Sequence, residues 1–286
     1  VEIIRSVGEM KRRARALSRD GAVIGFVPTM GFLHEGHLNL VRMARELSDS
    51  VVVSIFVNPT QFGPTEDLDR YPRDLDRDVA LLEEAGADIV FFPEASDVYP
   101  SGYATVVHVQ RLGDGLCGAF RPGHFDGVCT VVAKLFEIVR PNLSVFGQKD
   151  GQQVAIIERM VLDLDMDVEI VRGPTVREPD GLAMSSRNSY LSDEERAEAP
   201  VLRQALLRGQ ELFDAGETDV EKVLGEVRAM VESKPHAEVQ YISAVDWKSM
   251  AEVRELRVGT MLALAVFFGG TRLIDNLVLG EVGGKG

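Results

Sequence analysis

Ala22-Val-Ile-Gly-Phe-Val-Pro-Thr-Met-Gly-Phe-Leu-His-Glu-Gly-His-Leu-Asn-Leu-Val-Arg-Met-Ala-Arg-Glu-Leu47 reads as one buried strand, a tight turn and one amphipathic helix. Residues 22–27 carry no charge, and their apolar run is that of a strand covered on both faces. From His37 onward, Leu40, Val41, Ala44 and Leu47 recur on one helical face. The same unit repeats along the chain. Runs at 51–57, 88–92, 143–146 and 168–171 read as buried strands, and apolar stripes at 73–85, 128–139 and 152–164 read as helices. Strand and helix in steady alternation predict right-handed crossovers and a parallel sheet, an α/β domain spanning 1–173. In such sheets ligands lie beyond the carboxyl ends of the strands, so loops that follow strands are the places to search.

After Pro174 the pattern changes to a smaller α+β domain spanning 174–286. Ser192 with Glu195, and Thr218 with Glu221, match capping boxes that open two helices. Pro200 is expected to kink or break the first of them. Runs at 239–245, 261–268 and 272–279 then read as strands joined by polar or Gly-containing turns. The Gly283-Gly-Lys-Gly286 tail is read as frayed.

Composition narrows the partners. The 286 residues are 45% hydrophobic, enough for a large core, and carry a formal net charge of −14. A polyanion would meet a repulsive field, which disfavours nucleic acid but leaves room for a small anion at a local basic site. Cys117 and Cys129 have no Cys or His at metal-ligand spacing, which fits a reducing cytosol. No basic, apolar leader opens the chain, and the apolar run 261–268 is too short to span a bilayer. A cytoplasmic protein without a membrane segment is expected, with Val1 read as a processed or trimmed N-terminus.

Four post-strand loops carry candidate chemistry. In the first, His34 and His37, two of only five histidines, lie one helical turn apart where a strand gives way to a helix. Gly31 and Gly36 permit close backbone approach, and unpaired N–H groups at the helix start would favour a phosphate. His34 as a plain helix cap, with His37 on the surface, is the structural alternative. Zinc is a second one, although H-E-x-x-H sites need histidines four apart and here they are three apart. In the second loop, Phe146-Gly-Gln-Lys-Asp150, Gly147 allows a sharp turn and Lys149 can reach phosphate oxygens, unless Lys149 faces solvent and Asp150 only caps a helix. In the third, Gly181-Leu-Ala-Met-Ser-Ser-Arg187, two hydroxyls and a guanidinium match phosphate acceptors, unless they form an ordinary capped turn. In the fourth, Asn58-Pro-Thr-Gln-Phe62, neutral amides suit the hydroxyl and carboxylate groups of a small polar substrate, although an Asn-Pro turn needs no function.

Taken together the motifs are far more specific. Pro28-Thr-Met-Gly-x-x-His-x-Gly-His37, Ser54-Ile-Phe-Val-Asn-Pro-Thr-Gln-Phe-Gly63, Tyr71-Pro-Arg-Asp74, Arg121-Pro-Gly-His-Phe-Asp-Gly-Val128, Phe146-Gly-Gln-Lys-Asp150 and Met184-Ser-Ser-Arg-Asn188 span nearly the whole chain. The set resembles the pantothenate synthetase (pantoate–β-alanine ligase) family. The H-x-G-H element alone would indicate only the wider nucleotidyltransferase superfamily.

The resemblance implies a Rossmann-like nucleotide-binding domain. It also implies ATP-dependent joining of pantoate to β-alanine through pantoyl adenylate, with release of AMP and pyrophosphate. It assigns ATP to Met30, Gly31, Phe32, Leu33, His34, Glu35, Gly36, His37, Gly147, Gln148, Lys149, Asp150, Val176, Met184, Ser185, Ser186 and Arg187. Pantoate falls to Gln61 and Gln153, and β-alanine to Gln61. Magnesium is carried on the ATP phosphates. The resemblance further implies a homodimer and a C-terminal domain that closes over the active site. His37 is the family's catalytic histidine, usually described as a proton donor. The chemistry suggests another emphasis: a carboxylate attacks phosphorus without a general base, and the need is for donors to the charge that builds on phosphate oxygens. His34, His37, Lys149, Ser185, Ser186 and Arg187 supply such donors. His124, Val128, Val131 and Val132 are placed near pantoate's gem-dimethyl group, or else in ordinary helix core. Gly151 and Gln148 depart from the family's more usual residues, which bears on the helix start that carries Gln153. The alternatives are another H-x-G-H nucleotidyltransferase and a nucleotide-sensing protein without turnover.

Overall fold

The computed structural model describes residues 1–64, 66 and 68–280, so the Gly-rich tail lies outside the described residues. The chain divides into two compact units. One comprises Val1–Val109, Arg121–Gly147 and Ile156–Gly173; the other comprises Gln110–Phe120, Gln148–Ala155 and the chain from Pro174 onward.

The first unit is built on a six-stranded, wholly parallel sheet. Its strands are β1 (Glu2–Ile4), β2 (Ile24–Thr29), β3 (Ser50–Ile55), β4 (Ile89–Phe91), β5 (Leu143–Gly147) and β6 (Glu169–Gly173), in the order β1-β4-β3-β2-β5-β6. The helices that intervene along the chain are α1 (Val7–Arg19), α2 (Glu35–Leu47), α3 (Leu75–Glu84), the short α4 (Ala95–Val98) and α5 (Cys117–Phe120), α6 (His124–Val139) and α7 (Gly151–Asp163). Every residue of β3 is buried, because helices cover both faces. On one face Val27, Val51, Val53 and Val90 join a core with Leu38, Val41 and Ala44 of α2 and Leu82 of α3. On the other, Phe26 meets Phe136 of α6 edge-on at 6.3 Å. The α/β reading of the sequence is therefore realised. Four elements escaped it: β1 is three residues long with only Ile4 buried, α1 buries only Met10 and Ala14, and α4 and α5 are four residues each, so none carries a broad apolar signal.

Strand order reverses between β2 and β5, and at that switch point the sheet is also split. β2 pairs with β3 through all six residues, but with β5 only at Gly25 and Phe26. The carbonyl of Ile24 accepts from Asn142 N at 2.9 Å and that of Phe26 from Ser144 Oγ at 3.1 Å, so alternate residues of β2 address β5. Pro28 is the next in that series and has no N–H to donate. The two strands therefore part toward their carboxyl ends, the place where ligands bind in open α/β sheets.

Within this core the Ser54 hydroxyl is fully buried and has no hydrogen-bond partner among the described residues. Ser54→Ala is expected to be neutral or stabilising by about 1 kcal/mol, because it removes a desolvated, unsatisfied group. A clearly lowered thermal midpoint would contradict this.

The second unit holds α8 (Asp193–Glu198), α9 (Val201–Asp214), α10 (Val220–Glu232) and the antiparallel strands β7 (Ala237–Asp246), β8 (Thr260–Phe268) and β9 (Thr271–Val278), in the order β7-β8-β9. Leu202 and Leu206 of α9 and Val223, Val227 and Val231 of α10 pack with Leu262, Leu264, Val266 and Phe268 of β8. The Ser192–Glu195 capping box forms, with Glu195 N donating to Ser192 Oγ at 3.2 Å and Ser192 N donating to Glu195 Oε2 at 2.9 Å. Pro200 separates α8 from α9. The second expected box does not form: Asp219, not Thr218, caps α10 and accepts from Lys222 N at 3.1 Å. A carboxylate one residue further on meets the helix dipole directly, and Thr218 is left outside the helix.

Candidate functional site

The loop between β2 and α2 lies at the switch point. Gly31 and Phe32 both adopt left-handed backbone, with φ of 82° and 51°. A Cβ on Gly31 would stand 2.9 Å from Ile55 Cγ2 and 3.0 Å from Asp78 Oδ2, so the position has room only for glycine. His34 is the N-cap of α2, and it forms a reciprocal box with His37. Gly36 N donates to His34 Nδ1 at 3.2 Å, and His34 N donates to His37 Nδ1 at 3.4 Å. The rings lie 4.1 Å apart, centroid to centroid. The capping alternative is thus realised in geometry, and it has a chemical consequence. Each ring accepts at Nδ1, which places its hydrogen on Nε2 as a donor.

Most of the N–H groups of this turn are already engaged within the chain, and among the described residues Glu35 N at the first helical position is not one of them. Gly31 N donates to Thr29 Oγ1 at 3.2 Å, Phe32 N to Asp78 Oδ2 at 2.7 Å and Leu33 N to Asp78 Oδ1 at 2.8 Å. With Gly36 N and His34 N engaged by the imidazoles, the turn offers an incoming anion mainly side-chain donors. Asp78 itself is 1% exposed. Burial pushes its carboxyl above the ordinary value, while the two N–H donors and Arg77 pull it back.

Past β3, Asn58 caps a 3-10 turn over Pro59–Gln61. Its Nδ2 donates to Gln61 Oε1 at 3.0 Å and to the Gly127 carbonyl at 3.1 Å, and its Oδ1 accepts from Tyr99 Oη at 2.8 Å. Gln61 therefore has its amide oxygen tied down and its Nε2 turned outward, where it lies 3.4 Å from Met30 Sδ. The Asn-Pro segment is a turn, as its alternative reading held, and it also orients Gln61 against the Met30 loop. His124 supports it from α6, its Nδ1 lying 2.8 Å from the Gln61 carbonyl. Arg121 NH1 lies 3.0 Å from His124 Nε2, and Arg121 binds Glu66 through two bonds of 2.7 Å. Burial alone would raise the Glu66 carboxyl, but Arg121, with smaller help from Gly63 and His124, holds it below its ordinary value. Val128, Val131 and Val132 are buried helix core.

In the second unit, Gln148, Lys149 and Asp150 form a 3-10 turn ahead of α7. Asn276 of β9 fixes that turn, its Nδ2 donating to the carbonyls of Gln148 and Lys149 at 2.9 Å each. Gln148 Nε2 returns a bond to Asn276 Oδ1 at 3.3 Å. A Cβ on Gly151 would lie 2.8 Å from Met261 Sδ and 3.1 Å from Asn276 Nδ2, so Gly151 and Gln148 are matched to the residues that face them. Lys149 is 22% exposed, largely covered, and its Nζ lies 3.8 Å from Asp150 Oδ1. Gln153 is half-buried on α7; its neighbour Gln152 is buried and binds Cys117 N, the Leu112 carbonyl and the Gly115 carbonyl. Val176 and Met184 are brought together, Met184 N donating to the Val176 carbonyl at 3.0 Å in a small hairpin that turns at Gly181. Ser185 then caps a 3-10 turn over Ser186–Tyr190, accepting from Arg187 N at 3.2 Å. This hairpin is bolted to β9 by Arg177, which binds the buried Asp275 at 2.6 and 3.0 Å.

Sequence reasoning passed over Asp78, Arg77, Tyr99, Asn276 and the Arg177–Asp275 pair. Each acts through a partner distant in sequence, as Asp78 does on Phe32 46 residues away, and local patterning carries no trace of that. The Tyr71-Pro-Arg-Asp74 motif just upstream of Asp78 was the available pointer. Among the described residues no three His, Cys, Asp or Glu side chains converge as a metal-binding group, and no helix is long and apolar enough to cross a membrane.

Known proteins resemble the chain over its whole extent. The family model for pantoate-beta-alanine ligase matches residues 2–278. The pantothenate synthetase of Acetivibrio thermocellus is 51% identical over 279 residues, covering 98% of this chain and 99% of that one. That of Heliobacterium modesticaldum is 54% identical over 279 residues, with coverage of 98% and 99%. Among solved structures, the pantothenate synthetase of Thermus thermophilus superposes with a TM-score of 0.92 at 47% identity, covering 97% of this chain and 99% of that one. The pantoate-beta-alanine ligase of Francisella tularensis, in complex with β,γ-ATP and β-alanine, superposes with a TM-score of 0.80 at 34% identity, covering 97% of each chain. With a family model spanning nearly all of its length and relatives above half identity, the chain belongs to the pantoate-beta-alanine ligase family.

Proposed function

We infer that the chain joins pantoate to β-alanine at the expense of ATP, through pantoyl adenylate, with release of AMP and pyrophosphate. The family match across residues 2–278 carries this reading. ATP is the co-substrate, and magnesium enters as part of it. The family reading also implies a homodimer in the cytoplasm.

Residue by residue, the chemistry is as follows. The pantoate carboxylate attacks the α-phosphorus and pyrophosphate departs. No proton needs to leave the nucleophile, so the burden falls on donors to phosphate oxygens. His34 and His37 donate through Nε2–H, Lys149 as a point charge, Ser185 and Ser186 through hydroxyls, and Arg187 through its guanidinium. Met30, Gly31, Phe32, Leu33, Glu35, Gly36, Gly147, Gln148, Asp150, Val176 and Met184 shape the rest of the nucleotide's surroundings. Gln61, its oxygen held by Asn58, directs Nε2–H toward a carboxylate of pantoate or β-alanine, and Gln153 is the second pantoate contact. In the second step the amine of β-alanine attacks the acyl carbon of the mixed anhydride and AMP leaves. The amine reacts in its neutral form and sheds a proton to the departing AMP phosphate as the amide forms; no enzyme nucleophile is needed, and the site orients the amine and excludes water.

The test is pyrophosphate release from ATP and pantoate, with and without β-alanine. A single burst near one equivalent per site is expected without β-alanine, and steady turnover with it. No release in either mixture would sink the reading, and continuous release without β-alanine would show that the adenylate is not retained.

A further inference from the structure

Two bonds from one buried carboxylate decide the shape of the His34–His37 turn. Asp78 accepts from the consecutive N–H groups of Phe32 and Leu33 at 2.7 and 2.8 Å. Consecutive N–H groups next to left-handed residues form a concavity that binds anions. Here the concavity is filled from within the chain. The preceding residue, Arg77, grips the same segment from outside: its NH2 donates to the Leu33 carbonyl at 2.9 Å, and its guanidinium lies 5.2 Å from the Phe32 ring centroid. Both backbone polar groups of Leu33, whose side chain is fully buried, are thus fixed by α3. Leu33 is the residue that delivers the chain to the cap His34.

We propose that Arg77 and Asp78 are positioning residues for adenylation, a clamp on α3 that sets the His34–His37 pair and keeps phosphate out of the backbone concavity. The proposal rests on the activity inferred above. Neither residue contacts the reacting atoms; both act through the histidines, whose Nε2–H groups are the anion's donors at this turn.

The test compares Asp78→Asn, Asp78→Ala and Arg77→Ala with the wild-type enzyme in pantoate-dependent pyrophosphate release. Asp78→Asn keeps the size of the side chain but turns an N–H toward an N–H, and kcat is expected to fall about 100-fold, the scale set by displacing reacting groups by an ångström. The KM for pantoate should stay unchanged. Asp78→Ala should lose a similar factor and recover part of it with added formate, a carboxylate small enough for the emptied concavity. An Asp78→Asn enzyme as fast as wild type, or a folded Asp78→Ala enzyme indifferent to formate, overturns the clamp. Should Asp78→Ala not fold, Arg77→Ala decides, since that side chain is 45% exposed: a lowered kcat at unchanged pantoate KM supports the proposal, and an unchanged kcat overturns it. A wild-type enzyme that releases no pyrophosphate overturns the activity itself, a result distinct from active wild type with unaffected variants.

Discussion

His37→Ala is expected to slow pantoate-dependent pyrophosphate release by about 10²- to 10³-fold, the usual cost of removing one donor from developing charge, whereas His37→Gln keeps most of the rate. The geometry gives the reason. His37 occupies the third position of α2 and accepts from His34 N through Nδ1, which leaves Nε2 as the ring's donor. Glutamine is a natural occupant of that position in a capping box, since its Oε1 reaches back to the N-cap N–H while its Nε2 still donates. It cannot transfer a proton at neutral pH. Equal rates for Gln and Ala would therefore reject the donor role in favour of proton transfer. Alanine also loses the cap, worth about 1 kcal/mol, so thermal midpoints must accompany the kinetics.

Gly127→Ala is expected to damage both stability and rate without touching a substrate. A Cβ at that position would lie 2.5 Å from the Thr60 carbonyl oxygen, 2.6 Å from its carbon and 2.7 Å from Gln61 Cα. All three are backbone atoms, so no rotamer change relieves the clash. The same stretch of α6 is fastened to the turn by Asn58 Nδ2 on the Gly127 carbonyl and by His124 Nδ1 against the Gln61 carbonyl. Overpacking at such a point costs about 1–3 kcal/mol. Moving Gln61 by about an ångström should cost a further factor of about 100 in kcat. Differential scanning calorimetry alongside the pyrophosphate assay tests this. Wild-type melting and wild-type rate in Gly127→Ala would show that the turn moves freely.

How far the sequence foretold these features depended on range. Val51, Val52 and Val53 announce a strand covered on both faces, and Leu40, Val41 and Ala44 announce the helix that covers it, because burial in layered α/β folds writes itself into local periodicity. Pro200 and Ser192 were legible for the same reason: each acts within one turn of itself. The α10 cap was misread by one residue because Thr218 and Asp219 are both good caps, and only the structure decides between adjacent candidates. For the site, the histidine pair was visible, but not that the Phe32 and Leu33 N–H groups leading into it are already engaged. That fact needs Asp78, and Asp78 reaches the loop only once α3 is packed against α2.

Pro28 puts the mouth of the nucleotide-binding sheet under the control of a missing hydrogen. Side chains lining a cleft can be exchanged one at a time, each altering its width a little. A ladder that stops because one strand has no donor is an all-or-none property of the main chain, indifferent to what decorates it. The gap between β2 and β5 is therefore inherited as a single residue. Anyone transplanting the His34–His37 turn to another parallel sheet should carry the proline with it, two residues ahead of Met30, or the new sheet will zip shut beneath the loop.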